Sequence, residues 1–425
     1  MSQHSFIRLN NNVPVIIAPQ SETKAATALI LVKVGSRYEP AKINGVSHFI
    51  EHLLFKGTKK WPRPELLVKM LDGLGADYNA FTSKDYTGYY IKAASEHLPL
   101  VLEILSDMLF APLFDKKEMQ RERGVIIEEI NMYEDNPLMQ ADARLEEAMY
   151  PNHPLGRLIS GPAEIIGALP QAELVNYYRK HYHLGNIVIG LAGDVGILES
   201  VELLNKYFGK AKATKKSASF PSWSKVGAKK AWKVWDKPTE QVQLALGWPA
   251  FHNLDKRIPA AQVLATLLGG NMSSRLFMEI REKKGLAYFV KAQLNTFEDT
   301  GNLAVQAGLK KEQVEQAITA IIEEINSIKK GRVTKEEVER AKEFLKGKMV
   351  LRIEDSSTYI HWLTDQYLLE KGRVKTIEEQ LTDWDRVSLA EVVKVANEIF
   401  RHRLLSGVAI GPQNQLQKLS LKSYA

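Results

Sequence analysis

Residues 210–230 constrain the fold of this chain more than any other stretch. Lys, Ser and Ala crowd together there around Pro221, without apolar periodicity, between flanks that alternate strand and helix patterns. A chain of 425 residues carries enough apolar content for more than one core. The polar break near its midpoint therefore predicts domains over 1–209 and 231–425, joined by a linker at 210–230. The first half reads as strands at 14–19 and 27–34, then a helix at 63–74 and a hairpin over 78–82 and 87–93. Helices at 97–110 and 116–133, a strand at 182–194 and a closing helix at 197–207 follow, with Pro137 marking a stop. The second half repeats that order coarsely, with a strand at 241–248, a helix at 258–268, a glycine-containing loop, further strands and long helices from Lys335. The expected class is α+β: two similar domains, arisen by duplication, each a mainly antiparallel sheet packed with helices.

The net charge of +7 invites a nucleic-acid reading, but Gly209–Lys237 alone holds nine Lys and one Asp. The excess is confined to the linker region, where a Lys run among Ser, Ala, Thr and Gly reads as a solvated segment, and no nucleic-acid partner is expected. The chain has no Cys, so any metal must be held by His and carboxylate. The amino-terminal stretch lacks a basic region followed by a long apolar one, and no apolar run is long enough to span a membrane. A prokaryotic cytoplasm is the simplest expectation.

The chemistry concentrates at His48-Phe49-Ile50-Glu51-His52. On a helix, positions 48, 51 and 52 fall on one face. Gly45-Val46-Ser47 supplies a helix start, with Ser47 as the expected N-cap. Neutral imidazoles at i and i+4 can both reach one Zn²⁺, and a carboxylate beside the second can take a proton from an activated water. The order is the inverse of H-E-x-x-H. Two His leave a catalytic zinc one protein ligand short. Arg121–Ile130 offers Glu122 and Glu129, seven apart and sharing a helix face to within about 20°, while Glu128 points roughly 100° away. Such a pair is ordinarily solvated helix surface, so spacing alone leaves the third ligand open.

The stretch Gly45–Thr58, GVSHFIEHLLFKGT, resembles the signature of the pitrilysin (insulinase) family of zinc peptidases, in its two-domain, mitochondrial-processing-peptidase-like form. In that family the third zinc ligand is a Glu on a later helix, preceded seven residues earlier by an accessory Glu. The resemblance implies Glu129 as ligand with His48 and His52, Glu122 as the accessory catalytic carboxylate, and Glu51 as the base, with Glu128 as fallback ligand. Ser273–Tyr288 resembles the family segment carrying a functional Arg and Tyr seven residues apart, which implies Arg281 as a clamp on substrate carbonyls and Tyr288 as a donor to the developing oxyanion. Without the family, that Arg would be helix surface and that Tyr core. Asp77–Thr82 resembles the family's edge strand, which holds an extended peptide by main-chain hydrogen bonding, with Asn79 and Ala80 as the expected contacts.

The resemblance thus implies a zinc metalloendopeptidase that hydrolyses peptides or small unfolded proteins inside a dimeric clamshell. This chain carries both the zinc motif and the Arg/Tyr segment, so a homodimer with sites completed in trans is expected. The alternative is a non-catalytic structural or regulatory subunit of the same family. Such members usually have damaged zinc motifs, whereas His48, Glu51, His52 and Glu129 are all present here.

Overall fold

The computed structural model describes residues 4–210, 219–223, 231–370 and 372–416; positions 211–218 and 224–230 of the expected linker lie outside them. The chain forms two compact units. The first comprises residues 1–131, 157–221 and 350–376, and the second 132–156, 222–349 and 377–425.

The first unit is built on a six-stranded sheet of β1 (Ser5–Arg8), β2 (Pro14–Pro19), β3 (Ala25–Val32), β4 (Asp77–Thr82), β5 (Thr87–Ala94) and β6 (Ile187–Gly193). The order is β1-β2-β6-β3-β5-β4, antiparallel throughout except for the parallel pair β2 and β6. Along β3 both alternating sets, Ala28, Ile30 and Val32 on one face and Thr27, Leu29 and Leu31 on the other, are buried, so the sheet is covered on both sides. Helices of this unit include α1 (Val46–Leu54), α2 (Pro64–Gly73), α3 (Leu98–Phe110) and most of α4 (Lys116–Asp135).

The second unit has a five-stranded sheet of β7 (Ala231–Asp236), β8 (Gln241–Pro249), β9 (Ala287–Thr296), β10 (Gly301–Lys310) and β11 (Ser406–Gly411). Its order is β7-β11-β8-β10-β9, again with one parallel pair, β7 with β11. Leaving β1 aside, β2 to β6 and β7 to β11 correspond strand for strand in order and in sense. The expected α+β class of two similar sheet-and-helix domains is what the structure shows, and the shared topology supports duplication.

Chain order and packing diverge at two helices. Asn136 accepts hydrogen bonds from the N–H groups of Leu138 and Met139, and with Pro137 at the first helical position it starts α5 (Pro137–Met149). The expected stop at Pro137 holds, since α4 ends at Asp135, but the same proline opens a further helix that is not expected from the sequence. The buried face of α5, with Ala141, Leu145 and Met149, packs with Ala245, Val408 and Ile410 of the second unit's sheet. Conversely, the helix Ser356–Leu369 lies on β3 and β6 of the first unit. Gly190 in β6 makes this approach possible, because a Cβ there would sit 2.4 Å from Ile360 and 2.6 Å from Thr364. Thr27 and Ser356 share a buried hydroxyl hydrogen bond of 2.8 Å across the same contact. A strand expected from Tyr182 begins only at Ile187, since the Tyr182 side chain is buried against Tyr89 and the chain turns through Leu184–Asn186.

Candidate metal centre and active site

Helix α1 forms because Val46, Phe49, Ile50, Leu53 and Leu54 recur at helical spacing and are all buried. That orientation leaves His48, Glu51 and His52 on the remaining stripe. The N-cap is Gly45, at φ +96°, rather than the expected Ser47. The reason lies upstream: the buried Glu39 carboxylate accepts from Gly45 N–H at 2.7 Å, Ser47 N–H at 2.8 Å and Asn44 Nδ2 at 2.8 Å. With the helix end satisfied by Glu39, the Ser47 hydroxyl turns instead to Tyr177, 3.3 Å away. Burial lifts the Glu39 carboxyl to about 7, against the pull of those hydrogen bonds.

Helix α4 supplies the carboxylates. Met119, Glu122, Ile126 and Ile130 form its buried stripe, so Glu122 occupies a position that would ordinarily be apolar. Glu129 is half-buried and Glu128 is exposed, which separates the two adjacent carboxylates by environment. The Nε2 atoms of His48 and His52 are 3.3 Å apart, and Glu129 Oε2 lies 3.7 Å from the first and 3.4 Å from the second. Ligand atoms of His48, His52 and Glu129 all fall within 4.8 Å of one another.

Behind this triplet, His52 Nδ1–H donates to Glu122 Oε2 at 3.3 Å, and Lys56 Nζ donates to Glu122 Oε1 at 2.8 Å. The bond to Glu122 fixes the orientation of the His52 ring and aims its Nε2 at the triplet, where holding a metal would require that nitrogen to be deprotonated. Burial works against charge on His52, but hydrogen bonds to Glu122 and Glu129 outweigh it and raise the imidazole to about 9. Burial and the neighbouring His52 push His48 down to about 4. The hydrogen bond from His52 holds Glu129 below the usual carboxylate range, and at Glu122 the bonds to His52 and Lys56 outweigh burial in the same direction. Two imidazole nitrogens and one ionised carboxylate, backed by a second carboxylate, form a donor set whose chemistry would suit Zn²⁺.

Glu51, also on α1, lies close enough to His52 and Glu129 for their charges to act on it. Burial raises its carboxyl, opposed by a hydrogen bond of 2.5 Å from the Thr82 hydroxyl. Thr82 ends β4, the outermost strand of its sheet. Asn79 is exposed on that strand, Ala80 is buried, and the Asn79 side-chain oxygen accepts from Ala80 N–H at 2.9 Å. Glu39, Lys56 and Thr82 were not singled out from sequence. Of the three, only Lys56 falls inside the quoted signature.

Arg281 and Tyr288 belong to the second unit. Arg281 lies in a π-helical turn, Phe277–Lys283, with its guanidinium 4.6 Å from the centre of the Phe277 ring. Such widened turns recur at functional positions. Tyr288, at the start of β9, is 73% exposed, which rules out a core role for it within this chain. Among the described residues no helix is long and apolar enough to cross a membrane.

Residues 15–163 match the family described as Insulinase (Peptidase family M16), and residues 168–345 match the Peptidase M16 inactive domain. The chain is 35% identical over 390 residues to a Bacillus subtilis protein named as uncharacterized zinc protease YmxG, covering 92% of this chain and 94% of that one. It is 33% identical to a Streptomyces coelicolor protein also named as a zinc protease, covering 96% and 90%. A protease from Helicobacter pylori, solved by crystallography, superposes with a TM-score of 0.91 at 26% identity, covering 97% of this chain and all of that one. With both halves matched and this identity sustained over nearly its whole length, the chain belongs to the insulinase family, peptidase family M16.

Proposed function

We propose that the protein is a zinc metalloendopeptidase that cleaves peptides or small unfolded proteins, with His48, His52 and Glu129 as metal ligands. The observation that carries this reading is the convergence of those three donors with Glu51 on the adjacent turn of α1. Zinc bound there would supply a Lewis acid able to lower the pKa of water from 15.7 to about 7. Glu51 takes the proton from the attacking water and delivers it to the leaving amine. Glu122 keeps the His52 ring in its ligating tautomer, a role whose loss typically costs about 10- to 100-fold in metal affinity or activity. The free edge of β4 holds the substrate as an added strand, with Asn79 and Ala80 at the contact. The zinc proteases among the relatives support the choice of metal.

The test is cleavage of an unstructured peptide mixture by zinc-loaded protein, read by mass spectrometry with and without a chelator. Products that vanish with the chelator and return with zinc are expected; a folded, zinc-loaded protein that cleaves nothing would overturn the reading.

Arg281 and Tyr288 then act on substrate carbonyls and the oxyanion in the site of a second copy, in a homodimer. Support comes from the exposure of Tyr288 and from the presence of both functional segments in one chain. Mixing Arg281→Ala and Glu51→Gln chains under subunit exchange should restore part of the activity through one intact hybrid site. Mixed dimers as inactive as the separate variants would argue against shared sites.

A further inference from the structure

The hydrogen bond between Thr82 and Glu51 has a setting that gives it more than a packing role. Among the described residues strand β4 pairs only with β5, and the hairpin closes with Ser83 N–H on Tyr86 O at 2.8 Å. In an antiparallel ladder, alternate residues turn their N–H and C=O away from the partner strand. Counting back from the closing pair, these are Thr82, Ala80 and Tyr78. The Ala80 N–H, taken up by the Asn79 side chain rather than by β5, fits that count. The side chains of the same three residues share the face toward α1: the Tyr78 ring lies 6.1 Å from that of Phe55, and the Thr82 hydroxyl donates to Glu51 Oε2. On the opposite face Phe81 stacks on His361 at 4.8 Å, which fixes the end of the strand from behind.

We propose that Thr82 is the positioning residue for Glu51. Its hydroxyl holds one carboxylate oxygen so that the other is presented for proton transfer, and its main chain is part of the edge that receives the peptide. Docking of substrate on β4 and orientation of the base are thereby set by one residue. The inference rests on the peptidase reading above and adds to it a residue outside the metal signature.

The test compares Thr82→Val, which keeps the β-branched shape without the hydroxyl, with Thr82→Ser, which keeps the hydroxyl. In Thr82→Val, kcat is expected to fall by about 10- to 100-fold with KM and zinc content little changed, and Thr82→Ser should recover most of it. A second readout needs no turnover. In protein labelled with ¹³C at Glu, the Glu51 carboxylate stretch, identified as the infrared band missing in Glu51→Gln, should move in Thr82→Val and return in Thr82→Ser. An unmoved band, or a Ser variant as impaired as the Val variant, overturns the proposal. A band that moves and returns in a protein that cleaves no peptide would sustain the link between Thr82 and Glu51 and overturn the peptidase reading instead.

Discussion

Glu51→Gln is expected to lower peptide turnover by about 10²- to 10⁴-fold, the usual contribution of a positioned general base, while zinc content stays at one per chain. Gln has nearly the shape of Glu and its amide oxygen can still accept from the Thr82 hydroxyl, so the pocket should stay packed. What it cannot do is take up a proton. The proposed donor set is left in place, because the atoms that would hold the metal are those of His48, His52 and Glu129, and the His52 ring still has its hydrogen bond to Glu122. The loss should therefore fall on kcat, with KM nearly constant, which is the signature of an interaction made only in the transition state. Turnover with a fixed fluorogenic peptide, alongside metal analysis of the dialysed protein, checks both halves. Wild-type turnover in Glu51→Gln would remove Glu51 from the mechanism, and loss of zinc would mean that it serves the metal rather than the proton.

The parts of this site that were legible in sequence are those carried by one helix at a time. Spacing put His48, Glu51 and His52 on one face of α1, and the family pattern selected Glu129 over Glu128; in the structure Glu128 is exposed and Glu129 half-buried. The buried stripe of α4 at 119, 122, 126 and 130 contains a further signal, a charged residue at an apolar position. Glu39 and Thr82 carried no such signal. Each acts across a gap in sequence, through a loop or a strand end, and a single Glu or Thr there resembles many others. The misplaced N-cap has the same origin, since Ser47 looks like a cap until a carboxylate eight residues earlier has taken its N–H. Helix amphipathicity likewise tells which face of 137–149 is buried, but not against which sheet, and the weakly amphipathic 356–369 does not reveal even its buried face. That choice depends on surface complementarity such as the bare Gly190, a property of two elements together.

Asp85→Ala is expected to destabilise the first unit by about 3–5 kcal/mol, because it removes the carboxylate from a fully buried guanidinium. Arg37 is 0% exposed and donates to Asp85 Oδ1 at 2.8 Å, with its guanidinium 3.7 Å from the centre of the Phe220 ring. Asp85 sits in the turn between β4 and β5, where the N–H groups of Ser36 and Arg37 also bond to the carbonyls of Ser83 and Lys84 at 3.0 and 3.1 Å. The pair therefore ties the segment that carries Glu39, and with it the start of α1, to the hairpin that carries Thr82. A chain of two compact units need not unfold in one step, so the cost is best read by hydrogen exchange of β4 and β5 amides rather than from one global midpoint. Substituting both partners, Arg37→Met with Asp85→Leu, removes the stranded charge and should recover most of the protection, as buried pairs often do when replaced by apolar groups. A single variant that keeps wild-type protection would show that the guanidinium is adequately solvated without Asp85. A double variant as weak as the single one would place the cost in the shape of the turn rather than in buried charge.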